Sequence, residues 1–260
     1  MLETLRRDGV SVHEGFVSCD LLDGLREEFE RILKMPDDGI VHIEHQPGRA
    51  FRIALDDPGL RTGKLQNSSL ASVFFNETLE KLASAYLPGS DFCNAVIGTK
   101  EFQAMPLSDI HFDTHRSLKF MIYLDDTTAA NGAFCYVKGS QRQNTSYRKR
   151  FAQLGGVPEL IPNALPEEHR AHATSIEAVA GTLIVFDTDG FHAGGVLQPG
   201  TTRRVLRAQC KASASGSWKV MKLLPYRIRY SDFNPAMLFS RIAAPSYRAT
   251  KGTSRAQPVD

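Results

Sequence analysis

Long apolar runs are missing from this 260-residue chain: none approaches the roughly 20 residues that a membrane-crossing helix requires. Charge of one sign is missing too. Thirty-one Lys and Arg against 29 Asp and Glu leave a formal net charge of +2, too small an excess to argue for nucleic acid or a membrane surface as partner. Two local basic runs, Arg142 with Arg148-Lys149-Arg150 and Arg227 with Arg229, are read as solvated faces. The four cysteines, Cys19, Cys93, Cys135 and Cys210, form no C-x-x-C pair. That excludes the common zinc and redox motifs and gives no sign of a secreted disulfide framework. The segment Met1–Asp8 lacks the apolar core of a signal peptide. A cytoplasmic protein acting on a small molecule is the expectation; oligomeric state is not legible.

At 28.8 kDa the chain can bury one substantial core, and a single domain over 1–260 is expected. Its first 90 residues read as helical with one early strand. After Ser18, a good N-cap type, Leu21, Leu22, Leu25, Phe29, Ile32 and Leu33 recur at helical spacing and stop before Pro36. A second helical stretch carries Leu70, Val73, Phe74, Leu79, Leu82, Tyr86 and Leu87, and ends at Pro88-Gly89. Between them, 36–66 is polar and turn-rich, the pattern of a long surface loop.

From Asp91 onward short apolar runs alternate with turn residues: Phe92–Ile97, Phe102–Met105, Leu118–Leu124, Ala133–Val137, Ser175–Val179, Thr182–Phe186 and Val205–Cys210. Helices first and many short strands after predict a mainly β protein, a jelly roll (double-stranded β-helix, cupin-like) over 91–211 with the N-terminal helices packed on one sheet. The polar stretch 141–174 interrupts the strands and reads as a lid-like insertion or binding loop. Residues 212–260 form a C-terminal extension, in which Tyr226, Tyr230 and Phe233 are candidate pocket residues.

The residues that carry chemistry are His111, Asp113 and His192. Positions two apart on a strand point to one side, so the imidazole of His111 and the carboxylate of Asp113 share a face. His192, in a glycine-rich turn after the buried-strand run Gly181–Phe186, is placed to add a second imidazole. Two histidines and one carboxylate hold Fe(II) on one octahedral face and leave the other open. His115 also shares that face, but lies about 13 Å along the strand from His111; an outer contact to a ligand or to substrate is expected for it. A rival group, His42-Ile43-Glu44-His45, falls where no scaffold brings a third ligand, and His169-x-x-His172 reads as an exposed helical turn.

The run His111-Phe112-Asp113, Leu118–Leu124, Asn131-Gly132-Ala133-Phe134, Lys138-Gly139-Ser140-Gln141, Gly181–Phe186, then His192 and Arg203 eleven residues beyond it, resembles the phytanoyl-CoA dioxygenase-like (PhyH) family. The likeness covers about residues 91–210. It implies an enzyme, a non-haem Fe(II)/2-oxoglutarate-dependent dioxygenase, with 2-oxoglutarate and O2 as co-substrates and hydroxylation of a small organic molecule as the reaction. Two departures, Lys138 and Gln141 for the usual Pro and His and Gly194-Gly195 after the distal His, are expected to bear on substrate. With Asp113 in the carboxylate position halogenation is disfavoured, since related halogenases carry a small residue there.

The far carboxylate of 2-oxoglutarate needs a fixed cation, and the planar fork of Arg suits it better than Lys. Arg203, opening the run Arg203–Cys210, is the expected anchor. On the strand after the His-x-Asp, Phe120, Ile122 and Leu124 alternate with Lys119, Met121 and Tyr123. If the first set packs on the helices, Lys119 and Tyr123 turn toward the cavity and become candidate contacts to 2-oxoglutarate; the alternatives are a core-rim Tyr123 and a snorkelling Lys119. Asp187 and Asp189 read as turn residues, with acceptance of a hydrogen bond from substrate as the alternative. Two other functions stay open: a cupin-like metalloenzyme with non-oxidative chemistry, and a catalytically inactive metabolite-binding or sensing protein.

Overall fold

The computed structural model describes residues 1–35, 50–54, 68–91, 95–101 and 109–212. The groups His42-Ile43-Glu44-His45, Phe102–Met105, Cys93 and Tyr226, Tyr230 and Phe233 lie outside the described residues.

Helix α1 (Leu2–Asp8) ends at Gly9, whose φ of 77° is the left-handed conformation glycine adopts without penalty. Strand β1 (Val10–His13) leads to helix α2 (Cys19–Leu33). Ser18 caps α2 by accepting a hydrogen bond from Leu21 N at 3.4 Å. The second helical stretch is two helices, α3 (Ser69–Ser72) and α4 (Glu77–Tyr86). They separate because Asn76 adopts an extended backbone and caps α4 through Leu79 N at 3.0 Å, a stop that an apolar count alone overlooks.

A major sheet has the order β1-β8-β5-β10-β4-β2, where β2 is Ala50–Ala54, β4 Ala95–Glu101, β5 Ser117–Tyr123, β8 Leu183–Asp187 and β10 Arg203–Ala212. The short β3 (Ser90–Asp91) pairs with the far end of β10. A minor sheet runs β7-β6-β9, with β6 Phe134–Tyr136, β7 Thr174–Ile176 and β9 His192–Ala193. All pairings are antiparallel. The fold is the expected mainly β jelly roll with helices on one sheet.

Strand alternation sorts the side chains into two cores. Leu118, Phe120, Ile122 and Leu124 pack with Leu25 and Phe29 of α2 and Leu79 of α4. Met121 and Tyr123 face the other way, against Phe134 and Tyr136 of the minor sheet. Each fully buried Phe or Leu contributes about 1.5–3 kcal/mol. Strand β2 corrects the surface-loop expectation for this part of 36–66: Phe51 and Ile53 are buried among the helices, and the Phe51 ring centroid lies 4.9 Å from that of Phe29. Gly98 on β4 makes this possible, because a Cβ there would meet the Phe51 ring at 2.2 Å.

The 141–174 segment is also not a loop. It begins with helix α5 (Ser140–Gln153) and continues through 3-10 turns at Pro158–Leu160 and Glu167–His172. Its Asn163–Leu165 stretch pairs with the chain at Ile110–Phe112, through Phe112 N to Asn163 O at 3.0 Å and Leu165 N to Ile110 O at 2.7 Å. It is scaffold for the segment that bears His111. Among the described residues no helix is long and apolar enough to cross a membrane.

Candidate metal centre

His111 and His192 are locked side by side by backbone pairing, His111 N to His192 O at 3.0 Å and His192 N to His111 O at 2.7 Å. Asp113 N donates to Thr188 O at 2.9 Å, which fixes the carboxylate's origin against the same loop. One side-chain donor atom from each of His111, Asp113 and His192 falls in a group with all distances within 4.8 Å. The structure thus gathers the three residues expected to ligate metal.

Both imidazoles have a defined tautomer. His111 Nδ1 lies 2.8 Å from Asp109 O and His192 Nδ1 2.8 Å from Gly190 O. A carbonyl only accepts, so each Nδ1 carries the hydrogen and each Nε2 presents a lone pair. Those lone pairs aim at Asp113 Oδ1, from 3.6 Å for His111 and 3.5 Å for His192. Three acceptors facing one another without a hydrogen repel; a divalent cation between them turns the repulsion into ligation. The other carboxylate oxygen, Oδ2, takes the Lys119 ammonium at 2.7 Å. Asp113 therefore has one oxygen for a metal and one for lysine.

Electrostatics agree. Burial raises the Asp113 carboxyl, but Lys119 and the two histidines outweigh it and hold the group well below the usual carboxylate range. Burial dominates at His192 and lowers its pKa, favouring the neutral ring that a metal requires. At His111 the Asp113 carboxylate outweighs burial and raises it, so there a proton on Nε2 competes with the metal for the lone pair.

Arg203 is buried at 4 % exposure and faces the sheet interior. Its Nε donates to Glu101 Oε2 at 2.9 Å, Nη2 reaches the same oxygen, and Nη1 reaches Gly132 O. The expected co-substrate anchor is thus held by a protein carboxylate along one edge. Tyr123 takes the core alternative: fully buried, it donates to Ile176 O at 3.0 Å and accepts from Phe134 N at 2.9 Å, tying the two sheets. Its only hydroxyl hydrogen is committed, and burial raises its pKa to about 12. His115 lies outside the three-residue group, more than half exposed, with Nε2 3.5 Å from Glu159 Oε1.

Beneath the triad is a network that sequence reasoning missed. Asp187 and Asp189, read as turn residues, have fully buried side chains. Asp187 accepts from Tyr86 Oη at 2.7 Å and Arg116 Nη2 at 2.6 Å. Asp189 accepts from Arg148 Nη2 at 2.6 Å and Thr145 Oγ1 at 2.7 Å. Arg148, placed by sequence on a solvated face, also donates to the carbonyls of Asp113 and Thr114. One guanidinium so ties the loop of the carboxylate ligand to the loop preceding His192. The signal was present as a polar stripe, Gln141, Asn144, Thr145 and Arg148 at helical spacing, invisible to a search for apolar faces. Gln141 was expected to bear on substrate; instead it is buried and donates to Arg6 O at 3.3 Å, anchoring α1.

A jelly roll with two imidazoles and one carboxylate converging between its sheets defines an oxygenase-type metalloenzyme scaffold. The phytanoyl-CoA dioxygenase (PhyH) family model matches residues 5–205. The chain belongs to this family of iron- and 2-oxoglutarate-dependent oxygenase-type enzymes.

Among solved structures, the epimerase SnoN from nogalamycin biosynthesis is similar, with a TM-score of 0.58, 14% identity, and coverage of 82% of this chain and 79% of that one. HygX from Streptomyces hygroscopicus, determined with nickel and 2-oxoglutarate, gives 0.56, 14%, 82% and 86%. EctD from S. alaskensis, determined with 2-oxoglutarate and 5-hydroxyectoine, gives 0.53, 15%, 81% and 74%. At these identities the likeness is one of fold. No curated protein matches the chain in sequence.

Proposed function

We propose that this protein is a cytoplasmic Fe(II)/2-oxoglutarate-dependent dioxygenase that hydroxylates an unactivated C–H bond of a small organic molecule, releasing succinate and CO2. The observation that carries the reading is the convergence of two tautomer-fixed Nε2 lone pairs and one carboxylate oxygen. Such a donor set fits Fe(II) and leaves three adjacent positions open. Iron bound there, with 2-oxoglutarate and O2, supplies the oxidising power for the C–H bond.

The protein's residues do the rest. His111, Asp113 and His192 hold one face of the metal. Lys119 restrains Asp113 Oδ2, so the carboxylate binds through one oxygen and does not crowd the open face. Arg203 receives the far carboxylate of 2-oxoglutarate through the guanidinium hydrogens that Glu101 and the Gly132 carbonyl leave over. Met121, Ile184, Phe186 and Phe134 line the inner core and exclude water, which strengthens each of these charge contacts.

The Glu101–Arg203 pair gives the cupin-like, non-oxidative alternative its one foothold, because a buried arginine already held by a carboxylate can be purely structural. Activity that survives Arg203→Ala would favour that alternative.

Anaerobic titration of Fe(II) and 2-oxoglutarate into apoprotein tests the reading. A weak visible charge-transfer band is expected in the wild type and not in His192→Ala. No band in a folded, iron-loaded wild type overturns the proposal. Hydroxylation itself is checked by mass: the product gains one oxygen atom, derived from O2. The epimerase SnoN marks the competing outcome, a product of unchanged mass.

A further inference from the structure

Two members of the triad hang from one short turn, Asp187–Gly190, which joins β8 to β9. Gly190 N donates to Asp187 O at 3.0 Å and closes the turn. Thr188 O accepts from Asp113 N at 2.9 Å, and Gly190 O accepts from His192 Nδ1 at 2.8 Å. The turn therefore sets where the carboxylate starts and which nitrogen of His192 is left for a metal. A Cβ at Gly190 would meet Tyr136 Oη at 1.8 Å. That hydroxyl donates to Asp187 O at 2.9 Å and pins the turn to β6.

The Asp187 side chain shapes the turn from within. Its Oδ1 accepts from Asp189 N at 2.9 Å, an Asx turn laid over the backbone one. Its Oδ2 accepts from Tyr86 Oη at 2.7 Å and from Arg116 Nη2 at 2.6 Å. Tyr86 closes α4 and Arg116 leads into β5, so elements distant in sequence hold one fully buried carboxylate. The Arg116 guanidinium also lies over the Tyr86 ring, 5.8 Å from its centroid. Burial and the neighbouring carboxylate push the Tyr86 hydroxyl well above the usual tyrosine range, so it stays a donor. Packing alone does not call for this arrangement: an apolar side chain would fill the space without the cost of burying charge. It could not make the Asx turn.

We propose that Asp187 is a positioning residue for the metal centre: held by Tyr86 and Arg116, it shapes the turn that fixes the His192 tautomer and the Asp113 backbone. The consequence for metal affinity rests on the metal-centre reading above; the tautomer is a property of the apoprotein. His111 takes its Nδ1 partner from Asp109 O, outside the turn, and serves as an internal control.

The test uses apoprotein isotopically labelled at the histidine ring nitrogens. Proton–nitrogen correlations then report which nitrogen carries the hydrogen, with His192→Ala assigning the signal. Anaerobic Fe(II) affinity is measured alongside by competition with a chromophoric chelator. Wild type is compared with Asp187→Asn, Tyr86→Phe and Leu79→Ala, the last removing a buried side chain of α4 from the helix-side core. Wild type should hold the His192 hydrogen on Nδ1 alone. Asp187→Asn should mix the two His192 tautomers and lower Fe(II) affinity about 10–100-fold, with the His111 signal unchanged. Tyr86→Phe leaves Arg116 and the Asx turn in place, and should move both readouts the same way by less. Leu79→Ala should melt earlier and move neither. If Asp187→Asn fails to fold, Tyr86→Phe and Arg116→Lys carry the test, and unchanged readouts in both overturn the inference. A wild-type tautomer and affinity in folded Asp187→Asn also overturn it. So does a matching affinity loss in Leu79→Ala, which would trace the effect to stability alone. A tautomer change in the variants of a protein that never shows the ferrous–oxoglutarate band would sink the oxygenase reading and leave the positioning role standing.

Discussion

The two faces of the major sheet are made by the same strands and have opposite contents. Outward, toward α2 and α4, alternate residues of β5, β8 and β10 form an apolar core; inward, the same strands carry Lys119, Arg203 and Arg207 among the hydrophobic residues. A two-residue period lets one strand serve stability on one side and chemistry on the other. A slip of one residue would bury the charges under the helices, so the apolar face specifies register for the functional one.

Substitution of adjacent residues on β5 should break that comparison most visibly. Phe120→Ala removes a fully buried ring from the helix side and should cost about 3–5 kcal/mol, read as a lower denaturant midpoint at unchanged slope. The folded fraction should still bind Fe(II). Lys119→Met, one residue earlier, should change stability by less than about 1 kcal/mol, because its ion pair with Asp113 is partly solvated. It should tighten Fe(II) binding in the absence of 2-oxoglutarate, since a cation beside the cation site is gone. Equal stability losses for the two would refute the division of labour.

Arg148 is the exception that sharpens it, a helix residue serving the inner site. Arg148→Ala leaves Asp189 buried beside Asp187 without its main partner, at a cost of about 3 kcal/mol. It also frees the carbonyls of Asp113 and Thr114, so Fe(II) affinity should fall by about 10–100-fold, the usual effect of losing a group that orients a ligand. Arg148→Lys should recover part of the stability and less of the metal affinity, because one ammonium cannot span both loops. Equilibrium metal titration beside thermal melting separates the two losses.

Arg203→Lys is a smaller perturbation. It keeps the charge beside Glu101 and removes the fork, and KM for 2-oxoglutarate should rise roughly 10–100-fold while folding is retained. Unchanged KM would turn Arg203 into a structural partner of Glu101.

Legibility in the sequence follows the same division. The outer face was readable because apolar periodicity reports burial: α2, its Ser18 cap and the alternation of β5 emerged without a structure. The convergence of His111, Asp113 and His192 was readable because strand period and chain order constrain it. Polar burial was not. Arg148 and Asp189 look like surface residues until each is seen to satisfy the other, and Glu101 gave no hint of its partner Arg203. Strand β2 was hidden for a related reason: Phe51-Arg52-Ile53 is a three-residue alternation inside a polar stretch, and Arg52 interrupts its apolar content. Pairings between residues distant in sequence leave no periodic trace.

The smallest expected effect lies at the rim of the helix-side face. Glu30 on α2 meets Lys100 Nζ at 2.8 Å and Arg204 Nη1 at 3.3 Å. Partial burial pushes its carboxyl up, but the two cations outweigh that, and its pKa in the folded protein lies below the ordinary value. A carboxyl depressed on folding adds stability that is complete above its unfolded pKa of about 4.3 and is lost as pH falls through the lower folded value. Glu30→Gln should therefore cost roughly 0.2–1 kcal/mol at pH 7 and almost nothing once both states of the wild-type group are protonated. The wild-type and variant melting curves should converge on acidification below about pH 4, and 2-oxoglutarate turnover per folded molecule at pH 7 should be identical. A turnover difference would mean that the outer face communicates with the inner one by more than register.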